Sequence, residues 1–339
     1  MKTKTVLLQS RPKGMPTADN FHFKEVELPG LTEGQVLLKS LFISVDPYMR
    51  GRMSEAKSYV APYEVGQPLT GGVVAQVIES RNDKLNQGAV VLGELPWQEY
   101  TVHTGKGLRE IDPTIAPVSY HLGILGMPGL TAYVGLLLIG KPKKGETVVV
   151  SGAAGAVGTV VGQIAKLKGC HVIGIAGSEQ KLDYLQNELG FDAGINYKTS
   201  ANLREEVLRL CPSGVDVYFD NVGGDVSDAV YSALNNFSRI VICGQIAFYN
   251  NTTPPMGPRV EPMLLTKKAL MQGFIVGDYA SEFAGAAADL VSWLKEGKLQ
   301  YQETITEGFD NLPEAFLGLF RGENTGKQLV KVAEYSPDK

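Results

Sequence analysis

At 339 residues the chain has room for about two domains of ~150 residues, each able to bury a core of its own, which excludes a mini-protein. Charged residues make up 20% and hydrophobic residues 44%, far from the profile of a disordered chain. A net charge of −4, with no cluster of Lys and Arg to neutralise phosphates, excludes nucleic acid as a partner. Residues 1 to about 120 read as short strands between turn signals, with Val36–Val45, Gly71–Ser80 and Gly88–Glu94 rich in Val, Ile and Leu, as in a compact β domain. From Pro113 to Gly140 no side chain carries a formal charge, a span long enough to cross a bilayer. Pro117, Pro128, Gly123, Gly126, Gly129 and Gly135 interrupt it and no second such stretch exists, so it predicts a buried helix near Leu130–Ile139 and no membrane partner.

Beyond that point strand and helix patterns alternate. The strands are TVVVSG, HVIGIAG, AGINY, VDVYFDNVG and RIVICGQ; the helices between them are AVGTVVGQIAKLKG, SEQKLDYLQNELG, LREEVLRLC and VSDAVYSALN. Such alternation predicts βαβ units and a parallel sheet, and the unbroken apolar runs fit strands covered on both faces. DLVSWLKEGKL has helical periodicity, and the last segment reads as loop, helix, turn and strand. Cys170, Cys211 and Cys243 are odd in number, widely spaced and without a CxxC, which suits a reducing, cytoplasmic compartment. The N-terminal apolar run, Val6–Leu8, is too short for a signal-peptide core.

Glycine is the outlier, 39 of 339 residues against an ordinary ~7%. The sharpest use of it is Val148-Val149-Val150-Ser151-Gly152-Ala153-Ala154-Gly155-Ala156-Val157-Gly158, where a strand runs through Gly-x-x-Gly-x-x-Gly into a helix. Gly152 suits the tight turn, Gly155 the approach of backbone to a pyrophosphate, and Gly158 close packing of helix on strand. Helix-start N–H groups then face the phosphates. At the end of the next strand an NAD site needs a carboxylate for the ribose 2′-hydroxyl, yet Gly177-Ser178 stand there, followed by Lys181. This favours the 2′-phosphate of NADP(H), with Glu179 directed to solvent from the following helix.

Together with that turn, GMPGLTAY (Gly126–Tyr133), FDNVGG (Phe219–Gly224) and SVDPYMR (Ser44–Arg50) make the chain resemble the zinc-independent medium-chain dehydrogenase/reductases. It is most similar to their prostaglandin reductase, leukotriene B4 dehydrogenase, alkenal double-bond reductase and curcumin reductase branch, over residues 5–335. The resemblance implies a Rossmann-type parallel sheet domain at 125–300, a GroES-like β-barrel domain built from 1–124 and 301–339, NADPH as cofactor and a homodimer. Position by position, it implies a pyrophosphate loop at Gly155, Ala156, Val157 and Gly158, a 2′-phosphate site at Lys181 and Tyr197, and an adenosine contact at Asn221. Contacts on the nicotinamide side fall on Met127, Thr131, the turn from Cys243 and Gly244 to Tyr249, Phe274, Val276 and Asn324. Thr266, where some members carry a tyrosine, and the loop Pro254–Arg259 depart from the branch and bear on which substrate is used.

Zinc members of the superfamily hold their metal with Cys and His in the β domain. Here the corresponding stretch is Gly66-Gln67-Pro68-Leu69-Thr70-Gly71-Gly72-Val73, every Cys lies beyond residue 169, and His22, His103, His121 and His171 share no ligand spacing, so no metal site is expected. Nor is there a G-x-S-x-G elbow for a hydrolase. A conjugated enone needs less polarisation than a simple carbonyl, because its β-carbon is already electrophilic. The expected reaction is therefore hydride transfer from NADPH to the β-carbon of an α,β-unsaturated ketone or aldehyde. Tyr249, just past the last clear strand, is the expected donor to the developing enolate oxygen, or else the ribose hydroxyl, with Tyr48 as the matching contact from the β domain. An NADPH:quinone oxidoreductase and a non-catalytic NADPH-binding protein are the alternatives.

Overall fold

A computed structural model describes residues 1–336. It divides into two compact units. The strands, in chain order, are β1 (Lys2–Leu8), β2 (Phe21–Glu27), β3 (Val36–Ser44), β4 (Thr70–Ser80), β5 (Val90–Pro96), β6 (Tyr100–His103), β7 (Arg109–Ile111), β8 (Thr147–Ser151), β9 (His171–Ala176), β10 (Ala193–Asn196), β11 (Val215–Asp220), β12 (Leu234–Ile242), β13 (Leu270–Gly273), β14 (Glu303–Glu307) and β15 (Lys327–Lys331).

Among the described residues the first unit takes 1–122, 303–324 and 328–336. Its sheet has the order β14-β15-β3-β4-β5-β7, with β6 also on β3, and β1 and β2 pair as a separate antiparallel ribbon. β15 runs antiparallel to β3, Leu329 opposite Ser44, so the C-terminal strand completes a sheet begun by the N-terminal one. The core is aromatic: Trp97 is fully buried, stacked on Phe21 and met edge-on by Phe316. Phe316 lies on the helix Leu312–Arg321, where Leu312, Phe316 and Leu319 recur on one face. Pro313 opens that helix and Gly322, at φ 72°, closes it.

The second unit takes Gly123–Gln302 and Thr325–Lys327. Its six strands run in the order β10-β9-β8-β11-β12-β13, every resolved pair parallel. The chain proceeds outward from β8 through β9 and β10, then returns to β11 and proceeds the other way. The switch between β8 and β11 is where such sheets open a ligand crevice beyond their carboxyl ends. All of β8 is buried, as expected of a strand with both faces covered.

Two expectations need adjustment. The helix expected near Leu130–Ile139 begins earlier, as an α-helix over Met127–Tyr133, and continues as a π-helical turn over Val134–Gly140. The helix after β9 changes in the same way, from α over Glu179–Asp183 to π over Tyr184–Glu188. No helix among the described residues is long and apolar enough to cross a membrane. The outer part of the second unit is the opposite of its centre: from Ile242 to Gly285 no residue is buried, although the stretch includes β13 and the apolar helix Glu261–Lys267.

Candidate functional site at the carboxyl ends of the parallel strands

The glycine-rich turn leaves β8 as expected. Gly152 has φ 58°, in the left-handed region that side chains disfavour. A Cβ on Gly158 would stand 2.4 Å from the Gly152 carbonyl oxygen and 2.7 Å from the Ala153 Cα, so the helix Gly158–Leu167 meets the turn backbone to backbone. The N–H groups of Val157 and Gly158 have no acceptor among the described residues, the ordinary condition of a helix start and the one an anion satisfies. Sequence reading missed a brace on this turn: Gly326 pairs with Gly155 as an isolated parallel bridge, its N–H donating to the Ala154 carbonyl at 2.8 Å. The only local hint was the Asn324-Thr325-Gly326 turn before the last strand.

At the end of β9, Ser178 caps the next helix, its hydroxyl accepting from the Lys181 N–H at 3.3 Å. A Cβ on Gly177 would lie 3.0 Å from the Tyr197 ring and 3.2 Å from Lys198 Cε, so side chains from the end of β10 rest on this glycine. Burial first, and the charge of Lys198 second, push the Lys181 ammonium below the usual lysine value. Two cations thus converge where only Lys181 was expected; Lys198 was missed because it stands on a different strand end. Glu179 is exposed, as expected, and its direction is held by a partner that sequence reading missed: Glu179 Oε1 accepts from Asn196 Nδ2 at 2.7 Å, and Asn196 Oδ1 in turn accepts from the Lys198 N–H at 3.1 Å. The acid that would repel a 2′-phosphate is tied to its own hydrogen-bond partner.

At the end of β11, Asn221 is held to β8 twice, its N–H donating to Ser151 Oγ at 2.9 Å and its Nδ2 to the Ser151 carbonyl at 2.7 Å. The Cys243 and Gly244 N–H groups, just past β12, donate to the Asp220 carbonyl at 2.9 and 3.1 Å. The turn then folds back, and the Tyr249 hydroxyl accepts from the Gln245 N–H at 3.3 Å. With that lone pair engaged, the phenol's proton is left to donate elsewhere. Burial holds the Tyr249 phenol above its usual value, so it stays protonated through neutral pH, and burial together with Asp220 pushes the Cys243 thiol up to about 12.

Met127 opens its helix and is exposed; the Thr131 hydroxyl donates to the Met127 carbonyl at 2.7 Å. Phe274 and Val276 follow β13, with Phe274 packed edge-on against Tyr279. The second unit therefore gathers Gly155, Ala156, Val157, Gly158, Lys181, Tyr197, Asn221, Cys243, Gly244, Tyr249, Phe274 and Val276 on turns that follow its parallel strands. Tyr48 and Asn324 belong to the other unit. Tyr48 precedes the short helix Met49–Arg52, and burial, then the Asp46 charge, raises its phenol well above the usual tyrosine value. Among the described residues no three His, Cys, Asp or Glu side chains gather as a metal site.

A doubly wound parallel sheet with a glycine-rich first turn, carried with an antiparallel β unit made from both chain ends, defines a dinucleotide-dependent oxidoreductase. Family patterns agree: residues 4–111 match the N-terminal domain of oxidoreductase, and residues 156–293 match the family described as zinc-binding dehydrogenase. The chain belongs to the medium-chain dehydrogenase/reductase family, in its prostaglandin reductase and curcumin reductase branch, and is an NADP-dependent enzyme. It is 56% identical to YfmJ of Bacillus subtilis (strain 168), named as an NADP-dependent oxidoreductase, over 98% of both chains. It is 44% identical to the NADPH-dependent curcumin reductase of Escherichia coli (strain K12) over 96% of each. The crystal structure of CurA from Vibrio vulnificus in complex with NADPH superposes with a TM-score of 0.93 at 46% identity, covering 98% of this chain and 99% of that one.

Proposed function

We propose that the enzyme reduces the carbon–carbon double bond of α,β-unsaturated ketones or aldehydes. The observation that carries this reading is the Tyr249 hydroxyl, fixed by the Gln245 N–H on the turn after β12 with its proton left to donate. Bound at the carboxyl ends of the strands, NADPH supplies hydride. Val157 and Gly158 hold the pyrophosphate with their N–H groups, Lys181, Lys198 and Tyr197 hold the 2′-phosphate, and Asn221 orients the adenosine side. The nicotinamide side is lined by Met127, Thr131, Cys243, Gly244, Phe274 and Val276.

Addition at the β-carbon moves negative charge onto the carbonyl oxygen, Tyr249 donates a hydrogen bond to that oxygen as the charge develops, and a proton from water or tyrosine then completes the reduction at the α-carbon. A protonated phenol suits this task, since it must donate rather than accept. Curcumin, the substrate for which one relative is named, contains conjugated enones, which matches this chemistry. The enzyme works as a homodimer in the cytoplasm, whose reducing conditions keep its three cysteines as free thiols. The dimer reading rests on the edge strand β13, which opens on Leu270 at 52% exposure and follows a helix carrying Leu265 at 79%, and which a two-fold copy covers by strand pairing.

Tyr249→Phe tests the proposal. Loss of a sole oxyanion donor lowers kcat on an enone by about 10²- to 10³-fold with NADPH affinity unchanged. Wild-type turnover would assign the oxyanion to another group. NADPH oxidation with benzoquinone but with no alkenal or enone would replace the reading with a quinone reductase.

A further inference from the structure

Asp220, the last residue of β11, is fully buried and forms no ion pair among the described residues. Its carboxylate is satisfied instead by hydrogen bonds. Oδ1 accepts from Ser151 Oγ at 2.8 Å and from the Tyr218 hydroxyl and the Val222 and Gly223 N–H groups, each at 2.9 Å. Oδ2 accepts from Ser227 Oγ at 2.7 Å and Gln245 Nε2 at 2.9 Å. A carboxylate accepts at both oxygens and donates at neither, so a shell made wholly of donors suits it and does not suit an amide. Its donors come from the end of β8, from β11 itself, from the turn and helix after β11, and from the turn after β12.

Gln245 is the donor that reaches toward Tyr249. Its Nε2 also donates to the Gly244 carbonyl at 2.9 Å, which fixes the orientation of the amide. A Cβ on Gly223 would fall 2.3 Å from Gln245 Oε1, so the amide is seated against bare backbone. From the same residue, the main-chain N–H donates to the Tyr249 hydroxyl and the carbonyl accepts from the Phe248 N–H, starting the single turn Ile246–Phe248 that carries the tyrosine. One glutamine thus holds the buried carboxylate with its side chain and the phenol with its backbone.

We propose that Asp220, acting through Gln245, is the positioning residue for the Tyr249 hydroxyl, fixing the direction in which that group donates to the substrate oxygen. The proposal rests on the role given to Tyr249 above. It makes the carboxylate an anchor rather than a proton carrier: Asp220 touches neither substrate nor cofactor and acts by holding the turn.

Asp220→Asn pushes N–H groups into a shell made of donors and is liable to unfold the sheet end, so the informative variant is Gln245→Met. Methionine keeps the length of the side chain and removes its bonds to Asp220 and to the Gly244 carbonyl. Gln245→Met, Tyr249→Phe and the double variant are compared for kcat on an enone, NADPH affinity by fluorescence, and melting temperature. Gln245→Met is expected to lower kcat roughly tenfold, the worth of a hydrogen bond, with NADPH affinity within about threefold of wild type. The double variant is expected to match Tyr249→Phe alone, because a residue acting through the tyrosine has nothing to act on once the hydroxyl is gone. Losses that multiply, or wild-type kcat in Gln245→Met beside an impaired Tyr249→Phe, overturn this inference and leave the role of Tyr249 standing. Wild-type turnover in Tyr249→Phe overturns that role and this inference with it.

Discussion

The parallel sheet ends in two contrasting kinds of turn. Past β8, β11 and β12, backbone hydrogen bonds and the buried carboxylate of Asp220 lock three segments together. Past β9 and β10, Tyr197 and Lys198 are exposed and Lys181 is half-buried, with Ser178 and Asn196 as the polar supports. The difference matches what each end would handle under the proposed function. A reacting atom and a pyrophosphate need geometry held within a fraction of an ångström, which buried hydrogen bonds provide. A terminal phosphate carries full charge and is read by cations in partial contact with water, where exact placement matters less.

The largest expected effect is at the locked end. Gly158→Val drives side-chain atoms into the Gly152 and Ala153 backbone, which cannot step aside. NADPH binding should fall below detection and stability by about 3 kcal/mol, within the range for overpacking, as read by cofactor titration and thermal melting. A variant that binds normally would mean the turn is not close-packed.

At the open end the effects should be graded and selective. Lys181→Ala is expected to weaken NADPH roughly 10- to 100-fold and leave NADH little changed, since a charged hydrogen bond is worth ~1.5–3 kcal/mol. Lys198→Ala, more exposed, should cost NADPH about three- to tenfold. Equal losses for both cofactors in either variant would remove that lysine from the 2′-phosphate site. The pH dependence has a definite sign. The Lys181 ammonium sits below the usual 10.5, so the preference for NADPH over NADH is full at neutral pH and declines as pH rises toward that value, earlier than for an ordinary lysine. A preference flat across that alkaline range would count against Lys181 as the discriminating charge.

The smallest effect on the chemistry belongs to the sheet edge. Leu270→Lys places a charge on an exposed edge-strand position and should convert a dimer to a monomer in sedimentation, with monomer stability changed by no more than about 0.5 kcal/mol. A wild-type protein that sediments as a monomer at micromolar concentration would remove the dimer from the proposal.

Much of this contrast was legible along the chain where its parts are consecutive residues. The turn Gly152–Gly158, the missing acid after β9 with Lys181 three residues beyond Ser178, and the tyrosine past β12 are local spacings, and a strand–turn–helix unit is determined over a few residues. Central strand positions were legible too: Val36–Val45 and Gly71–Ser80 correspond to β3 and β4 within a residue or so, because runs of Val, Ile and Leu bounded by turn signals mark covered strands. β13, with its short and exposed LMQG, was not found, since a four-residue edge strand carries too weak a pattern.

Other features depend on residues far apart in sequence. Lys198 meets Lys181 because β10 pairs with β9 in the register Asn196 to Ala176, which brings their following residues to one side. Gly326 reaches Ala154 across the length of the unit, and Gln245 reaches Asp220 because β12 and β11 end together, Ile242 beside Asp220. In a parallel sheet the carboxyl ends of all strands lie along one edge whatever their order in the chain, so side chains meet there by register rather than by spacing. Composition and local pattern thus established the class of fold, the dinucleotide turn and the leaning toward a 2′-phosphate. The second lysine, the brace on the glycine turn and the carboxylate that anchors Tyr249 were decided by which strand ends the sheet set side by side, a choice made by the packing of the whole core and encoded in no short stretch of it.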